Sequence, residues 1–454
     1  MEKLIVKNFK AIEYAEIEVN DLTFFIGQQA SGKSTLAKLV YFFKTLGQFI
    51  GNELLSQENS YQTTQIEKKI QHITSVFFLT MFGHNENFHI DFSYSNGNSI
   101  KFFSDEELAF TFEDDDNILS KLSIELIQPI QELNALRETN TSFNDRTFKL
   151  WENKVDDILD KYLPYKKDNI YFPAGRSFLS LADKNVIEIG KGYKEEFENY
   201  IRQSETGAFD TPLLYPTINE NALIISSYIN HCLHLKKIFK TISNIVFQDK
   251  NLIESMVKQQ EILRGDYFQN DSNEGINIEK NKILLQNTSS GQQEVIRLLQ
   301  DINNLIISYK IAAFRIYEEP EAHLFPASQK ALMEMIVILL NSNPNVQLLI
   351  STHTPYLLAV LNVLMEAKEL EKQLGENDLT LNSLVLKEER LDVSRVRVYS
   401  AKQTESGRFI FENIVNQDTQ SIDAEIIDKV SEEIGMTYNQ LLDLRSNLSN
   451  SVSE

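Results

Sequence analysis

One segment near the start of the chain has the residue types and spacing of a phosphate-binding loop. It fits the pattern G-x-x-x-x-G-K-[ST] and reads Gly27-Gln28-Gln29-Ala30-Ser31-Gly32-Lys33-Ser34-Thr35. An apolar run enters it and a helical pattern leaves it, so backbone N–H groups and a helix N-terminus can surround a phosphate. In this arrangement we expect Lys33 to bridge the β and γ oxygens of ATP and Ser34 to ligate Mg²⁺. The segment therefore predicts a nucleotide site.

Two adjacent carboxylates, Glu318 and Glu319, follow the apolar run AAFRIY and precede Pro320. On a helix, two neighbouring acids would usually indicate a solvated face. At the end of a buried strand they can instead face Mg²⁺ and an attacking water. The pair therefore predicts that the bound nucleotide is hydrolysed.

Two further segments have chemistry that depends on their place in the chain. The first begins a helix and reads Ser289-Ser290-Gly291-Gln292, and hydroxyls and backbone amides at a helix N-terminus bind anions. The second places His353 directly after the strand VQLLI, where ligands of open α/β sheets bind. Taken alone, the first is typical of a helix cap and the second of a core histidine. Their order after the glycine-rich loop favours a functional role.

The order of these segments resembles that of ABC-type ATPases: P-loop, SSGQQ, EEP, then a strand ending in STH. More narrowly, the chain is similar to the SMC/RecF/OLD-like branch of bacterial AAA-family ATP-binding proteins. NFKAIEYAEIEV resembles the opening hairpin of that branch, and EEPEAHLFP is similar to its EEPExHLHP form of Walker B. The resemblance covers residues 1–42 and 166–360. It implies an α/β fold with an ABC-type P-loop NTPase core, a mixed sheet, an antiparallel β-subdomain and helical insertions.

The resemblance also implies individual roles. Thr35 would contact the α-phosphate and Glu318 would organise the magnesium ion. Glu319 would orient and deprotonate the attacking water. His353 would be the switch histidine at the γ-phosphate. In that family Ser289 and its neighbours act across a dimer, which implies a homodimer or a higher homo-oligomer.

The sequence departs from the family pattern at three positions. Glu318 stands in place of Asp and lengthens the arm to the metal, although this branch commonly has Glu there. Phe325 replaces the second His of HLHP, so any role of that His is lost. Ala174 stands where the Q-loop glutamine is expected. Arg176 is a candidate replacement that senses the γ-phosphate through its charge; a structural salt bridge is the equal alternative.

Apolar periodicity predicts the elements that must position these residues. The strands are expected at residues 4–6, 15–19, 22–26, 312–317, 346–351, 396–400 and 408–415, with a hairpin at 88–112. Helices are expected from Thr35, twice within 118–163, at 222–247 and at 328–340, with an acidic helix at the C-terminus. The apolar seam of 222–247 leaves two interpretations open, a helix packed in the protein and a partner-binding coiled coil.

The predicted organisation has three parts. Residues 1–42 and 166–360 are two halves of one ATPase core, which includes a helical segment at 181–262. Residues 43–165 are an insertion with a β-hairpin and helices. Residues 361–454 are a C-terminal α/β extension.

Composition narrows the class of protein. The 454 residues are 42% hydrophobic and 24% charged, which is typical of a globular protein. A single cysteine, Cys232, excludes an internal disulfide, and we expect a cytoplasmic protein. No stretch approaches the ~20 apolar residues of a membrane span. A net charge of −21 disfavours nucleic acid as a partner.

Four functions are compatible with a nucleotide-gated dimer. A transporter motor is disfavoured because EEPEAHLFP lacks the Leu-Asp D-loop. A DNA repair or recombination ATPase of the RecF/SMC type would need a coiled-coil arm or a basic surface. An OLD-type nuclease-associated ATPase would need a Toprim domain, but SLVLKEER is followed by no D-x-D. The favoured interpretation is a sensor ATPase that controls a separate effector or answers a trigger protein, similar to the ATPase component of the PARIS anti-phage system.

Overall fold

The structure is a computed structural model, and it describes most of the chain. The described residues are 1–56, 63–83, 87–104, 110–114, 117–138, 145–176, 222–242, 249–270, 273–416 and 418–422.

The strands and helices are numbered here in chain order. The strands are β1 (Glu2–Phe9), β2 (Ile12–Val19), β3 (Leu22–Ile26), β4 (Phe88–Ser93), β5 (Ser99–Ser104), β6 (Phe110–Asp114), β7 (Asp168–Phe172), β8 (Asp266–Gln269), β9 (Glu274–Ile278), β10 (Asn281–Leu284), β11 (Ala313–Glu318), β12 (Val346–Thr352), β13 (Val396–Gln403), β14 (Phe409–Asn413), β15 (Val415–Asn416) and β16 (Ser421–Ile422). The helices are α1 (Lys33–Ser56), α2 (Thr63–Phe82), α3 (Ile118–Glu138), α4 (Asp145–Tyr162), α5 (Ala222–Ile242), α6 (Lys250–Leu263), α7 (Ser290–Ile307), α8 (Pro326–Ser342), α9 (Tyr356–Leu374) and α10 (Leu379–Leu384).

Within the described residues, one large mixed sheet organises the fold. Its eleven strands lie in the order β6-β5-β4-β1-β2-β14-β13-β3-β12-β11-β7. The strands from β13 to β7 are mutually parallel, whereas β1, β2, β4, β5 and β6 pair antiparallel. A separate antiparallel sheet joins β8, β9 and β10. The predicted α/β fold with a mixed sheet and an antiparallel part is therefore confirmed.

Helices cover both faces of the parallel strands, so these strands are apolar on both sides. Along β3, Phe24 and Phe25 point to opposite faces because strand side chains alternate. Phe25 belongs to the core that also contains α1, and Phe24 belongs to the core that also contains α7, α8 and α9. All residues of β3 and β11 are buried. Burial on both faces explains why these strands read as continuous runs rather than as an alternating pattern.

Helix α1 is held by aromatic packing that begins just after the glycine-rich loop. Leu36, Leu39, Val40 and Phe43, which the periodicity assigned to one side, are all fully buried. The ring of Phe43 stacks on Phe92 of β4 with centroids 4.6 Å apart. The first three turns of α1 are thereby packed against the sheet.

Most predicted elements are found, with shifted ends. The hairpin at 88–112 gains a third strand, since β6 pairs with β5. The seam of α5 packs inside the protein, where Ile229, Cys232 and Leu235 are buried, which favours the packed helix over the coiled coil for these residues. Much of the segment 181–262 and the acidic C-terminal helix lie outside the described residues. No helix among the described residues combines the length and the apolar character that crossing a membrane requires.

Strands from all three predicted parts share the large sheet. β4, β5 and β6, from the insertion, extend it through β1. β13 and β14, from the C-terminal extension, lie between β2 and β3. β13 pairs parallel with β3 from Val396 opposite Leu22 to Ser400 opposite Ile26. The C-terminal strands are therefore part of the sheet that carries the glycine-rich loop.

Candidate nucleotide site

The candidate site lies where three neighbouring parallel strands end. β12 lies between β3 and β11, and Thr352 pairs with Ile26 while Ser351 pairs with Glu318. This register places the residues that follow each strand, Gly27, Glu319 and His353, at one edge of the sheet. The carboxyl edge of parallel strands is the usual ligand side of an α/β fold.

The glycine-rich loop turns tightly between β3 and α1. Gly32 has a φ of +98° and packs against Ile12, where a Cβ would lie 2.8 Å from Cγ1 of that side chain. Only glycine fits both demands. Because α1 begins at Lys33, the free backbone N–H groups of its first turn face the loop.

Lys33 is folded onto the loop that precedes it. Its Nζ donates to the carbonyl oxygens of Gly27 at 2.8 Å and Gln28 at 2.6 Å. The side chain is 5% exposed. Burial lowers the pKa of Lys33 to about 8, against the opposing effect of Glu319 and Glu318. The ammonium group is therefore partly desolvated, a condition that favours an anionic ligand over water.

Glu319 and His353 are in direct contact across two strands. Nε2 of His353 lies 2.9 Å from Oε1 of Glu319, and both side chains are partly exposed. Nδ1 of the same ring lies 3.0 Å from the carbonyl oxygen of Gly27 and 3.3 Å from Nζ of Lys33. The imidazole thus connects the carboxylate to the glycine-rich loop.

Glu318 lies deeper than its neighbour. Its side chain is buried, and its Oε2 accepts a hydrogen bond from the backbone N–H of Ala174 at 3.2 Å. Ala174 is the position where the sequence leads one to expect the Q-loop glutamine. The backbone of this segment therefore contacts the first carboxylate directly, without a glutamine side chain.

Of these groups, Lys33, Glu319 and His353 line a cavity of about 310 Å³, whereas Glu318 and Gly27 do not. Its lining contains the loop from Gln29 to Thr35 together with Glu319, Ser351 and His353, and Lys10 and Ala11 close one side. A larger cavity of about 620 Å³ lies between α1, α2 and β7. Its lining includes no glycine-rich loop, so we assign phosphate binding to the smaller one.

The residues at the start of α7 lie apart from this cavity. Ser289 caps the helix: its Oγ accepts from the N–H of Gln292 at 3.3 Å, and Oε1 of Gln292 accepts from the N–H of Ser289 at 3.0 Å. Ser289 and Ser290 are exposed, Gly291 is buried, and none of these side chains is among the described residues that line the cavity. The family resemblance identifies residues 289–292 as the ABC signature, so α7 is called the signature helix from here on. Within one chain, the signature residues do not line the cavity of the glycine-rich loop.

Arg176 is fully buried and does not line the cavity. Its guanidinium donates to backbone carbonyl oxygens, among them those of Glu318 at 2.8 Å and Glu294 at 3.1 Å. Its donors are engaged behind residues 318–323, called here the carboxylate loop, and this placement favours the structural alternative. A role of Arg176 as a sensor of the γ-phosphate stays a prediction.

Two features of the site were not predicted. Glu321 is buried, and its Oε1 accepts from the hydroxyl of Thr352 at 2.5 Å. Burial raises the pKa of Glu321, although the Thr352 hydroxyl opposes the shift. Glu321 is the third acid of the EEPE segment, and this acid was the sequence feature that could have indicated its role. No sequence feature indicates that Lys10 approaches the glycine-rich loop, because this contact depends on how β1 and β2 pack.

Two solved structures align with most of the chain. The SMC head bound to the C-winged helix domain of ScpA has 12% identity and a TM-score of 0.40, and the alignment covers 92% of this chain and 98% of that one. An SMC head domain from Thermotoga maritima has 9% identity and a TM-score of 0.34, with 91% and 98% covered. No curated protein sequence matches the chain at a significant level.

The AAA ATPase domain family matches residues 1–358, which include the glycine-rich loop, both strand-end carboxylates and His353. Because this match spans well over half of the sequence, the chain belongs to the AAA ATPase domain family.

Proposed function

We propose that the protein is an ABC-type ATPase that holds ATP between two copies of the chain and is reopened by hydrolysis. The observation that carries this proposal is the separation of the expected phosphate-binding groups. Lys33, Glu319 and His353 line one cavity, whereas Ser289 is exposed and lies outside that lining among the described residues. A second copy of the chain would bring a signature helix to each cavity.

The groups in the cavity divide the chemistry between them. Oxygens of the β- and γ-phosphates replace the carbonyls of Gly27 and Gln28 as acceptors from Lys33. Glu319 takes the proton of the attacking water as general base. We expect His353 to exchange one of its present contacts, with Glu319 or with the carbonyl of Gly27, for a hydrogen bond to the γ-phosphate.

Ser34, which lines the cavity, and Glu318, which is buried directly before the lining residue Glu319, would hold a magnesium ion. The described residues contain no cluster of three or more His, Cys, Asp or Glu side chains that would form an all-protein metal site. Mg²⁺ usually takes only one or two protein oxygens and completes its shell with water and phosphate. When bound, the ion neutralises charge on the phosphates. One hydroxyl and one buried carboxylate are sufficient for this role.

In such a cycle, ATP binding closes the dimer and ATP hydrolysis reopens it, and this movement is what a partner would detect. The sequence resemblance to regulatory ATPases supports a protein effector or trigger that responds to this movement, as in anti-phage systems. A DNA repair ATPase of the RecF/SMC type is the alternative. The net charge of −21 argues against it, because like charge repels nucleic acid.

The experiment is to measure the mass of the protein with ATP and Mg²⁺ by size-exclusion chromatography with light scattering. Glu319→Gln should bind ATP without hydrolysing it and accumulate as a dimer, because the amide cannot accept the proton. The surface variant Glu376→Gln is the control, since Glu376 is exposed and pairs only with Lys387 among the described residues.

The control should turn over ATP like the parent protein and show no trapped dimer. Parental ATP hydrolysis by Glu319→Gln would remove Glu319 as the base. A protein that stays monomeric with ATP, in both the parent and Glu319→Gln forms, would overturn the dimer.

A further inference from the structure

The side chain of Arg176 joins three separate segments of the fold. Nη1 donates to the carbonyls of Pro173 at 3.3 Å and Glu318 at 2.8 Å, and Nη2 donates to those of Glu319 and Pro320 at 3.3 Å each. Nε donates to the carbonyl of Glu294, in the second turn of α7, at 3.1 Å. One buried cation therefore binds the end of β7, the carboxylate loop and the signature helix.

Arginine is the residue that suits this position. A buried charge is costly unless it is hydrogen-bonded throughout, and the guanidinium offers five N–H donors in a rigid plane. Lysine has three donors on a single nitrogen and cannot reach carbonyls on opposite sides of that plane. The position therefore requires the fork of donors as well as the charge.

The loop that Arg176 holds has an unusual backbone. Glu319 has a φ of +44° and His323 a φ of +60°, both in the left-handed region that non-glycine residues rarely adopt. Such conformations persist only when the surroundings enforce them, and they concentrate at functional sites. The carbonyls of residues 318–320 accept from Arg176, and the N–H of Glu319 donates to Ser351 at 2.8 Å.

A second contact joins the same loop to the signature helix. A Cβ on Gly291 would lie 2.6 Å from the carbonyl oxygen of His323, so only glycine permits this approach. Arg176 and Gly291 thus fix the start of α7 to the carboxylate loop at two points. The two parts are expected to move together.

We propose that Arg176 is a positioning residue that holds Glu319 in its reactive orientation and couples it to the signature helix of the same chain. This inference rests on the proposed function. In a dimer whose signature helix contacts the partner's nucleotide, the coupling carries the occupancy of one site to the base of the other. Arg176 itself contacts no nucleotide.

The test compares two buried arginines. Arg176→Lys keeps the charge but loses the fork. Arg297→Lys is the matched control: Arg297 is equally buried on α7, but its Nη2 pairs with Glu274 on the small sheet. Arg176→Gln is a second variant that leaves no unpaired charge in case the lysine form does not fold. Melting temperature, affinity for a non-hydrolysable ATP analogue and kcat are measured for each.

Both lysine variants should melt at a lower temperature than the parent. Only the Arg176 variants should lose kcat, by about 100-fold for a base displaced by roughly 1 Å, with analogue affinity unchanged. Amide exchange should rise together in residues 290–294 and 319–324 of Arg176→Lys. A parental kcat in the folded Arg176 variants, or an equal loss in Arg297→Lys, would overturn the proposal, as would faster exchange in only one of the two segments.

Failure of this inference and failure of the proposed function would give different experimental results. If the parent protein hydrolyses no ATP, the function is wrong, whatever the variants do. If the parent hydrolyses ATP and the Arg176 variants do so equally well, only the positioning role is wrong.

Discussion

Nε2 of His353 lies 2.9 Å from Oε1 of Glu319, although the two residues belong to loops after different strands. The contact follows from the register of β11 and β12, in which Glu318 pairs with Ser351. A shift of one residue in that register would turn the side chains of one strand, but not of the other, to the opposite face of the sheet and would separate the two groups. The geometry of the candidate base therefore depends on parallel strand pairing more than on the loops themselves.

Lys33→Ala should lose nucleotide affinity as well as hydrolysis. The ammonium group interacts with phosphate both in the ground state and in the transition state, so its removal raises Kd and lowers kcat/KM. Binding is measured with a fluorescent ATP analogue, and Lys38→Ala, further along α1, serves as the control because Lys38 does not line the cavity. Equal affinity of Lys33→Ala and the parent would show that the nucleotide does not bind this loop.

The signature helix should act on the nucleotide of the partner copy. Lys33→Ala and Ser289→Arg should each be inactive alone, because one lacks the loop cation and the other blocks the helix start. Mixing them should restore activity, since a mixed dimer contains one intact composite site. Native mass spectrometry identifies the mixed dimers. Their formation without any recovery of ATP hydrolysis would contradict a shared site.

The local part of the site was readable from sequence, because the relevant signals lie within short segments. The glycine pattern before Lys33, the acids after a buried run and the histidine after VQLLI each depend on a few neighbouring residues. β3, β11 and β12 were expected for the same reason. Their parallel order then brings Gly27, Glu319 and His353 together, as the fold class implies.

The features of the fold and site that could not be predicted from sequence depend on contacts between distant parts of the chain. β13 pairs with β3 although about 370 residues separate them, and no local pattern determines that pairing. The burial of Arg176 against carbonyls was equally hidden, because an arginine after a strand has the same sequence pattern whether it faces phosphate or backbone. Glu321 was visible as an acid, but its bond to Thr352 requires the strand register.

A buried ionic network joins α5, α7 and β11 and should contribute to the stability of the fold. Asp301 accepts from Nε of Arg315 at 2.9 Å, from the hydroxyl of Tyr317 at 2.9 Å, and lies 2.7 Å from Nε2 of His231. Removing one partner of a buried pair usually costs about 3–5 kcal/mol. Asp301→Asn should therefore lower the free energy of unfolding by that amount in urea titrations at pH 7. A change no larger than that of the surface variant Glu412→Gln would contradict this role.

The same network predicts the pH dependence of stability. Burial opposes ionisation of Asp301, but Arg315 and His231 outweigh it and hold its pKa well below the usual range. A depressed carboxyl pKa stabilises the fold above the pKa of the unfolded chain, about 4, and that contribution is lost as the pH falls below it. The advantage of the parent over Asp301→Asn should shrink between pH 5 and pH 2 in urea titrations. An advantage that grows over this range would have the wrong sign.

Cys232, the only cysteine of the chain, should report unfolding. Its side chain is 1% exposed, and burial raises the pKa of the thiol to about 11. Because the thiolate is the reactive form, the folded protein should react slowly with a thiol reagent at pH 8. One equivalent should react quickly in urea. Rapid labelling of the folded protein, followed by unchanged circular dichroism, would contradict the packing of α5 around this residue.

The last prediction concerns partners. With a net charge of −21, the protein should bind duplex DNA only weakly at physiological salt, since long-range repulsion opposes encounter and few phosphates can be neutralised. A protein partner is expected instead, at the insertion of residues 43–165 or at the acidic segment 421–435. That segment contains Asp423, Glu425, Asp428, Glu432 and Glu433 against a single Lys429, and all but its first two residues lie outside the described part of the chain.

A basic protein surface is the natural complement of the acidic segment, and association with it should slow as salt rises. The measurement is affinity purification from the native host at two salt concentrations, beside a fluorescence anisotropy titration with duplex DNA. Truncation after residue 422 tests the acidic segment while keeping β16. Loss of the partner on truncation would assign binding to that segment, and retention would assign it to the insertion. Tight DNA binding that weakens steeply with salt, with no co-purifying protein, would instead favour the recombination-type ATPase.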